Sequence, residues 1–292
     1  MKMMEGPGGA DRPIHLLRDG VVLVDYGPMR MLIFVWERRK PLTDLAIKGA
    51  QVALEVLGEL ARFYPVIKRK VSGLGIETGY PDVVKRMIRA TQKMGESDLT
   101  PLAAVAGASS DVVADFIIAR GGTKVIVDNG GDIAIRLREG EVARVGIKTE
   151  IDAEKPSYVV SFDSTMALGG VATSGFGGRS FTKGIASAAT VVAADASLAD
   201  AAATVIGNST NVEAPAIIRS RAETLYPDTD IPGQWVTTKV GALSTKKVHE
   251  ALRNGLKKAE EISQKGLIRG AFIALQGEAV WTPALDPFLA KL

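Results

Sequence analysis

Two apolar runs, Lys124–Asp128 and Asp132–Leu137, are separated only by Asn129-Gly130-Gly131. A link this short, with Asn and two glycines able to take positive φ, predicts a tight hairpin and so an antiparallel pair. Strand-like runs at Val142–Lys148 and Tyr158–Phe162 follow, each set off by turn residues, which extends the expectation to an antiparallel meander. Upstream, Val21–Glu37 reads as two strands around Gly27-Pro28. Between these strand regions the apolar period changes. Leu45, Val52, Val56 and Leu60 recur at helical spacing within a helix opened by Pro41 and Thr43-Asp44, and closed before Pro65. A second helix starts at Pro81 and a third, alanine-rich one at Thr100-Pro101, with Gly107 as a candidate interruption.

Thr165–Gly184 is rich in glycine and reads as a shaped loop. Ala186–Ala194 reads as a buried strand, Ala196–Ile206 as a helix, and Asn208–Trp235 as irregular chain with three prolines. Ser244 caps a basic amphipathic helix to Gln264, ended by Gly266, and a last strand pair covers Leu267–Leu275 and Ala279–Trp281. The expected class is α+β, with helices packed on mixed or antiparallel sheets. Residues 1–13 read as a flexible lead-in and residues 14–292 as a single domain.

Composition narrows the chemistry. The chain has no cysteine and only two histidines, His15 and His249. That excludes disulfides, thiolate metal sites and a multi-histidine zinc site. A net charge of +3 on 292 residues is too weak to argue for nucleic acid. No uncharged apolar stretch approaches the roughly 18 residues of a membrane span, and the start does not read as a signal peptide. The expected location is the cytoplasm.

Four segments carry residues suited to a site. In Asn129-Gly130-Gly131-Asp132, the glycines serve a turn or else let a ligand approach the backbone, with Asn129 and Asp132 at the rim. Val171–Lys183 combines hydroxyls (Thr173, Ser174, Ser180, Thr182), glycines including Gly175, and the cations Arg179 and Lys183. Such a set makes an anion cradle or a plain flexible loop. It is not a Walker loop. Ser174 as a hydrolase nucleophile would need a base, with His249 or Lys183 as candidates brought near by folding. Asp200 and Thr204 are four apart on one helix, a spacing that suits Mg²⁺ or simply the helix dipole. Asp111 and Asp115 repeat that spacing and read as a solvated face.

The order of these segments resembles the ApbE-like superfamily, whose best-known enzymes are FAD:protein FMN transferases. Those enzymes carry, in order, a GxAKGxxxD segment, a strand ending in GGD, an ATSG loop and a DAxxT helix. Here the same order is Ala104–Asp111 (AVAGASSD), Asn129–Asp132 (NGGD), Ala172–Gly175 (ATSG) and Asp200–Thr204 (DAAAT). The chain is more similar still to a shorter, unlipidated branch, through Asp25–Met31 (DYGPMRM), Ser97–Ala108 (SDLTPLAAVAGA), Val125–Arg136 (VIVDNGGDIAIR) and Leu198–Asn208 (LADAAATVIGN), so that the resemblance spans about residues 14–275. It implies an ApbE-like α+β domain. It also implies Mg²⁺ held by Asp200, Thr204 and a backbone carbonyl near Ala106. Asn129, Gly130, Gly131, Asp132, Thr173, Ser174 and Gly175 would line a pocket for FAD or FMN.

The chain departs from the transferases in three places. Phe176–Ser187 (FGGRSFTKGIAS) stands where they have a histidine and a DPxTG-type segment, Ala106-Gly107 lacks their lysine, and no lipid-attachment cysteine is present. The expectation is therefore a cytoplasmic enzyme acting on a small anionic or nucleotide-like substrate by Mg²⁺-assisted transfer or hydrolysis. In it Arg179 and Lys183 neutralise charge and Ser174 or Thr173 contacts or attacks the substrate. The alternative is a flavin or ligand binder that has lost the chemistry. The expected partner is a small molecule, with no nucleic acid and no membrane, and a homodimer is compatible with the fold.

Overall fold

The computed structural model describes residues 13–150 and 153–292. Residues 1–12, nearly all of the expected lead-in, lie outside the described residues. Three antiparallel strands open the chain: β1 (Ile14–Arg18), β2 (Val21–Tyr26) and β3 (Met29–Glu37), with the two-residue β4 (Lys40–Pro41) folding back on β3. β3 buries Met29, Met31, Ile33 and Val35 in strict alternation, the mark of a strand with one covered face. β1 is mostly exposed and shows no such alternation, so the sequence offers no period for it.

Helix α1 (Thr43–Arg62) follows. Its fully buried stripe begins with small residues, Ala46, Gly49, Ala50 and Ala53, and only then takes in Val56 and Leu60. The cause is proximity: a Cβ on Gly49 would stand 2.5 Å from the Ile117 side chain of a neighbouring helix. The short α2 (Tyr64–Ile67), α3 (Asp82–Met94) and a 3₁₀ turn at Pro101–Ala104 lead into α4 (Val105–Ile118). Gly107 lies inside α4 and does not break it. Pro101–Ile118 has the length and mean hydropathy (1.5) of a membrane span, yet it carries Asp111 and Asp115 and more than half of it is buried in the protein.

The hairpin forms as expected from β5 (Lys124–Asp128) and β6 (Ile133–Leu137), but the meander does not continue. β7 (Val142–Ile147) and β8 (Tyr158–Asp163) leave the main sheet and pair with β15 (Leu289–Lys291) in a three-stranded sheet of their own. β6 pairs instead with β9 (Gly170–Ser174), a strand inside the glycine-rich segment read as loop. β10 (Ala188–Ala193) and α5 (Ala196–Ser209) come next. β11 (Ile217–Arg221), α6 (Ala222–Leu225) and β12 (Trp235–Val240) give order to much of the stretch read as irregular. Ser244 caps α7 (Thr245–Gln264), its side chain accepting from the Lys247 N–H. β13 (Gly270–Leu275) and β14 (Glu278–Trp281) are the expected final pair.

The main sheet runs β1-β2-β3-β5-β6-β9-β10-β13-β14, with β4 beside β3, and every described pairing is antiparallel. One face carries the long helices. α1 lies over β2 and β3, α4 over β5 and β6, α5 over β9 and β10, and α7 over β13 and β14. The small sheet covers the opposite face, where Ile135, Val171, Val192 and Phe272 meet Val145, Val160 and Phe162. β10 and β13, covered on both faces, are buried at every residue.

Candidate functional site

The Asn129–Asp132 link is a two-residue hairpin turn. Gly130 and Gly131 sit at φ +75° and +102°, and the Asn129 N–H donates to the Asp132 carbonyl at 3.2 Å. Asp128 Oδ1 accepts the Gly131 N–H at 2.8 Å. The turn also has a lid. Arg179 Nη2 donates to the Asn129 carbonyl at 3.1 Å, and a Cβ on Gly130 would stand 2.1 Å from that nitrogen. Gly130 is thus required by the positive φ of the turn, while the mobile end of the Arg179 side chain above it could move aside for a Cβ.

Two helices converge on the same place. Gly107 permits it, since a Cβ there would lie 2.2 Å from the Ala196 carbonyl. At this crossing the helices cap one another. Asp200 Oδ2 of α5 accepts the Gly107 N–H at 2.9 Å, with the Ala106 N–H also directed to that carboxylate. Asp111 of α4 returns the bond, its two oxygens accepting the Ala196 N–H at 3.1 Å and the Ser197 N–H at 2.8 Å. Asp195, the N-cap of α5, accepts from the Leu198 N–H at 2.7 Å.

Asp111 and Asp115 therefore do not form a solvated face. Asp111 is fully buried and its Oδ1 also receives Arg136 Nη2 at 2.9 Å, while Asp115 receives Arg136 Nε at 2.6 Å and Arg86 Nη1 at 2.8 Å. Helical spacing of two acids looks the same whether water or arginine faces them. Only the β6 arginine, 21 residues beyond Asp115, reveals the role. Ser110 ties the helix to the turn: its hydroxyl lies 3.0 Å from the Ala106 carbonyl and 2.8 Å from the Asp132 carbonyl.

Asp132 and Asp200 are both half-buried and close enough for their charges to interact, and the space between the turn and α5 that they border is here called the recess. Burial pushes the Asp132 carboxyl well above the ordinary range. The Asp200 and Asp128 charges add to this, and Arg179 and the Thr173 N–H oppose it. Burial likewise pushes Asp200 up to about 7, against its backbone donors at Gly107 and Ala106. Thr204, one turn on, reaches the Ala103 carbonyl at 3.5 Å. Among the described residues no three His, Asp or Glu side chains gather as a metal cluster. A cation here would rest on Asp200, Thr204 and backbone oxygen, an all-oxygen set that fits a hard ion such as Mg²⁺.

Other residues of the expected site are placed elsewhere. Thr173 donates its backbone N–H to Asp132, but its side chain pairs with Thr190 across the sheet at 2.8 Å. The next residue, Ser174, points to the opposite face, beside Gly207 of α5. Gly175 is dictated by the Ser187 carbonyl, 2.6 Å from where its Cβ would be. Lys183 does not join Arg179. Its Nζ donates to Asp98 Oδ2 at 2.6 Å, and its backbone is held by Asn208 and Asn211. His15 on β1 and His249 on α7 are exposed and make no hydrogen bond to the recess.

A family model described as "AbpE bacteria" matches residues 14–281. The chain belongs to this family. Within the ApbE-like superfamily it is similar to a UPF0280 protein of Methanosarcina barkeri, 41% identical over 45% of this chain and 50% of the relative. A UPF0280 protein of Methanopyrus kandleri is 41% identical over 49% of this chain and 56% of its own length. The chain spans about half the length of these relatives. In three dimensions it is similar to the flavinyl transferase ApbE of Pseudomonas stutzeri in its apo form (TM-score 0.51, 15% identity, 94% of this chain and 100% of that one). The flavin transferase ApbE of Vibrio cholerae gives a TM-score of 0.50 at 14% identity, over 89% and 95% of the two chains. These two likenesses establish the ApbE-like fold.

Proposed function

We propose that this ApbE-like chain is an enzyme that binds a nucleotide-like anion, a flavin nucleotide foremost, in the recess between the Asn129–Asp132 turn and the crossing of α4 and α5. The observation that carries this reading is the pair of half-buried carboxylates, Asp132 and Asp200, both pushed up and bordering one recess beside Arg179. Two such acids invite a divalent cation, and a cation with an arginine invites phosphate. Asp200, Thr204 and a carbonyl at Ala106 are the proposed Mg²⁺ ligands. When bound, the ion would supply charge for a pyrophosphate oxygen. Asn129, Gly130, Gly131, Thr173, Ser174 and Gly175 are proposed to border the ligand, through backbone more than side chain. Arg179 lies where it can neutralise phosphate charge, and Ser174, beside Gly207 of α5, is the proposed acceptor of a transferred group.

Residues 14–292 would act as one unit, in the cytoplasm. A second reading, binding without turnover, is favoured by one observation. Neither histidine lies near the recess, and Ser174 has no partnered base among the described residues. Incubation of purified protein with FAD and Mg²⁺ separates the two readings. The proposal expects FMN and AMP to appear, with the rate falling at least about a hundredfold in Asp200→Ala. Tight FAD binding without any AMP would establish the second reading.

A further inference from the structure

Just over two turns along α5 from Asp200, the helix borders a different cleft. Asp200, Thr204 and Asn208 are spaced at four residues, which places Asn208 roughly 12 Å along the axis from Asp200. The cleft there holds about 200 Å³ and is lined by Glu96, Asp98, Lys183, Asn208 and Lys258 over a floor of Leu99 and Val205. Lys183 Nζ pairs with Asp98 Oδ2 at 2.6 Å, and Lys258 Nζ lies 3.3 Å from Glu96 Oε1 and 3.2 Å from Glu261 Oε2, a neighbour on α7 outside the lining. Lys183, Asp98, Lys258 and Glu96 all line the cleft and are partly exposed. Asn208 Oδ1 accepts the Lys183 N–H at 2.8 Å, and its amide nitrogen donates to no described residue.

We propose that this cleft is a binding site for a small zwitterion of the amino-acid class. The lining carries two cations and two anions, so it has no net charge to attract a lone anion or a lone cation. Either one would have to displace a like charge already in place. A zwitterion exchanges pairs instead. Its carboxylate meets Lys183, Lys258 and the free Asn208 amide, and its ammonium meets Asp98 and Glu96. The apolar floor accepts a short side chain. Ordinary surface ion pairs hold little and need no cavity between them. Here the two pairs come from three separate places in the chain, Glu96–Asp98, Lys183 and Lys258, and border an open cleft of amino-acid size. This inference goes beyond the nucleotide reading and does not depend on it.

The test is titration of the full chain, without nucleotide or metal, with glycine, L-alanine and L-serine, followed by NMR shifts or calorimetry. Acetate, methylammonium and inorganic phosphate serve as single-charge controls. At least one amino acid is expected to saturate with a Kd about tenfold or more below acetate and methylammonium. Lys258→Gln and Asn208→Leu, with unchanged Tm, are each expected to weaken it about tenfold. Lys258 is the variant least able to disturb folding, since it lies on the rim of α7. Failure of every amino acid to saturate would overturn the proposal. So would phosphate or acetate binding as tightly, or folded variants that leave the Kd unchanged.

Discussion

Asp200 has two tasks at the scale of the residue, and they pull in opposite directions. As an acceptor for the first N–H groups of α4 it is best ionised, yet its burial favours the proton and raises its pKa from 3.8 to about 7. A carboxyl whose pKa rises on folding takes up a proton. Its stabilisation is complete below its unfolded value and is lost as pH climbs through its folded one. Asp132, also pushed up, acts in the same sense. In EDTA, the Tm is therefore expected to fall between about pH 4 and about pH 7, and Asp200→Asn should flatten that fall while keeping an acceptor for Gly107. A variant with the wild-type slope would show that Asp200 is already solvated. Gly130 offers a second check. Gly130→Ala should cost about 1–2 kcal/mol in urea unfolding, because alanine is strained at this positive φ, and it should also displace the Arg179 guanidinium from the turn. The turn was legible in Asn129-Gly130-Gly131, since its chemistry is local. The place of Arg179, 50 residues away over that turn, was not.

At the scale of the element, the reciprocal capping of α4 and α5 is what builds the site. Asp111 serves α5 and Asp200 serves α4, across a contact that only Gly107 allows. Asp111→Ala leaves Arg136 without its buried partner and two N–H groups of α5 without acceptors. The expected cost is about 3–5 kcal/mol, read as a lower denaturation midpoint. A loss under about 1 kcal/mol would mean that the pair breaks even with water. The elements with strong periods were readable: α1, α3, α7 and the β5–β6 hairpin. β9 was not, because its composition answers to neighbours rather than to strand propensity. Gly170 is small since the Asp195 carbonyl stands 2.1 Å from where its Cβ would be. β7 leaves the meander because its buried residues, Ala143, Val145 and Ile147, cover the far face of the main sheet. Alternation shows that one face is covered, not by which sheet.

At the scale of the whole molecule, a long antiparallel sheet with helices on one face brings the Asn129–Asp132 turn, the start of α4 and α5 together, with the Thr173 backbone N–H of β9 beside Asp132. Their order along the chain made the family legible before any contact was known. The path of the chain then decides which members meet. Arg179 reaches the turn, while Lys183, four residues on, pairs with Asp98 in another cleft. The central claim is that the recess between Asp132 and Asp200 takes a flavin nucleotide together with a divalent ion. The most direct measurement is calorimetric titration of FAD, FMN and AMP into the purified protein, with Mg²⁺ and then with EDTA. The account predicts FAD binding that is at least about tenfold tighter with Mg²⁺ and that loses this dependence in Asp200→Ala. Binding of none of the three, or binding indifferent to both Mg²⁺ and Asp200, would contradict it.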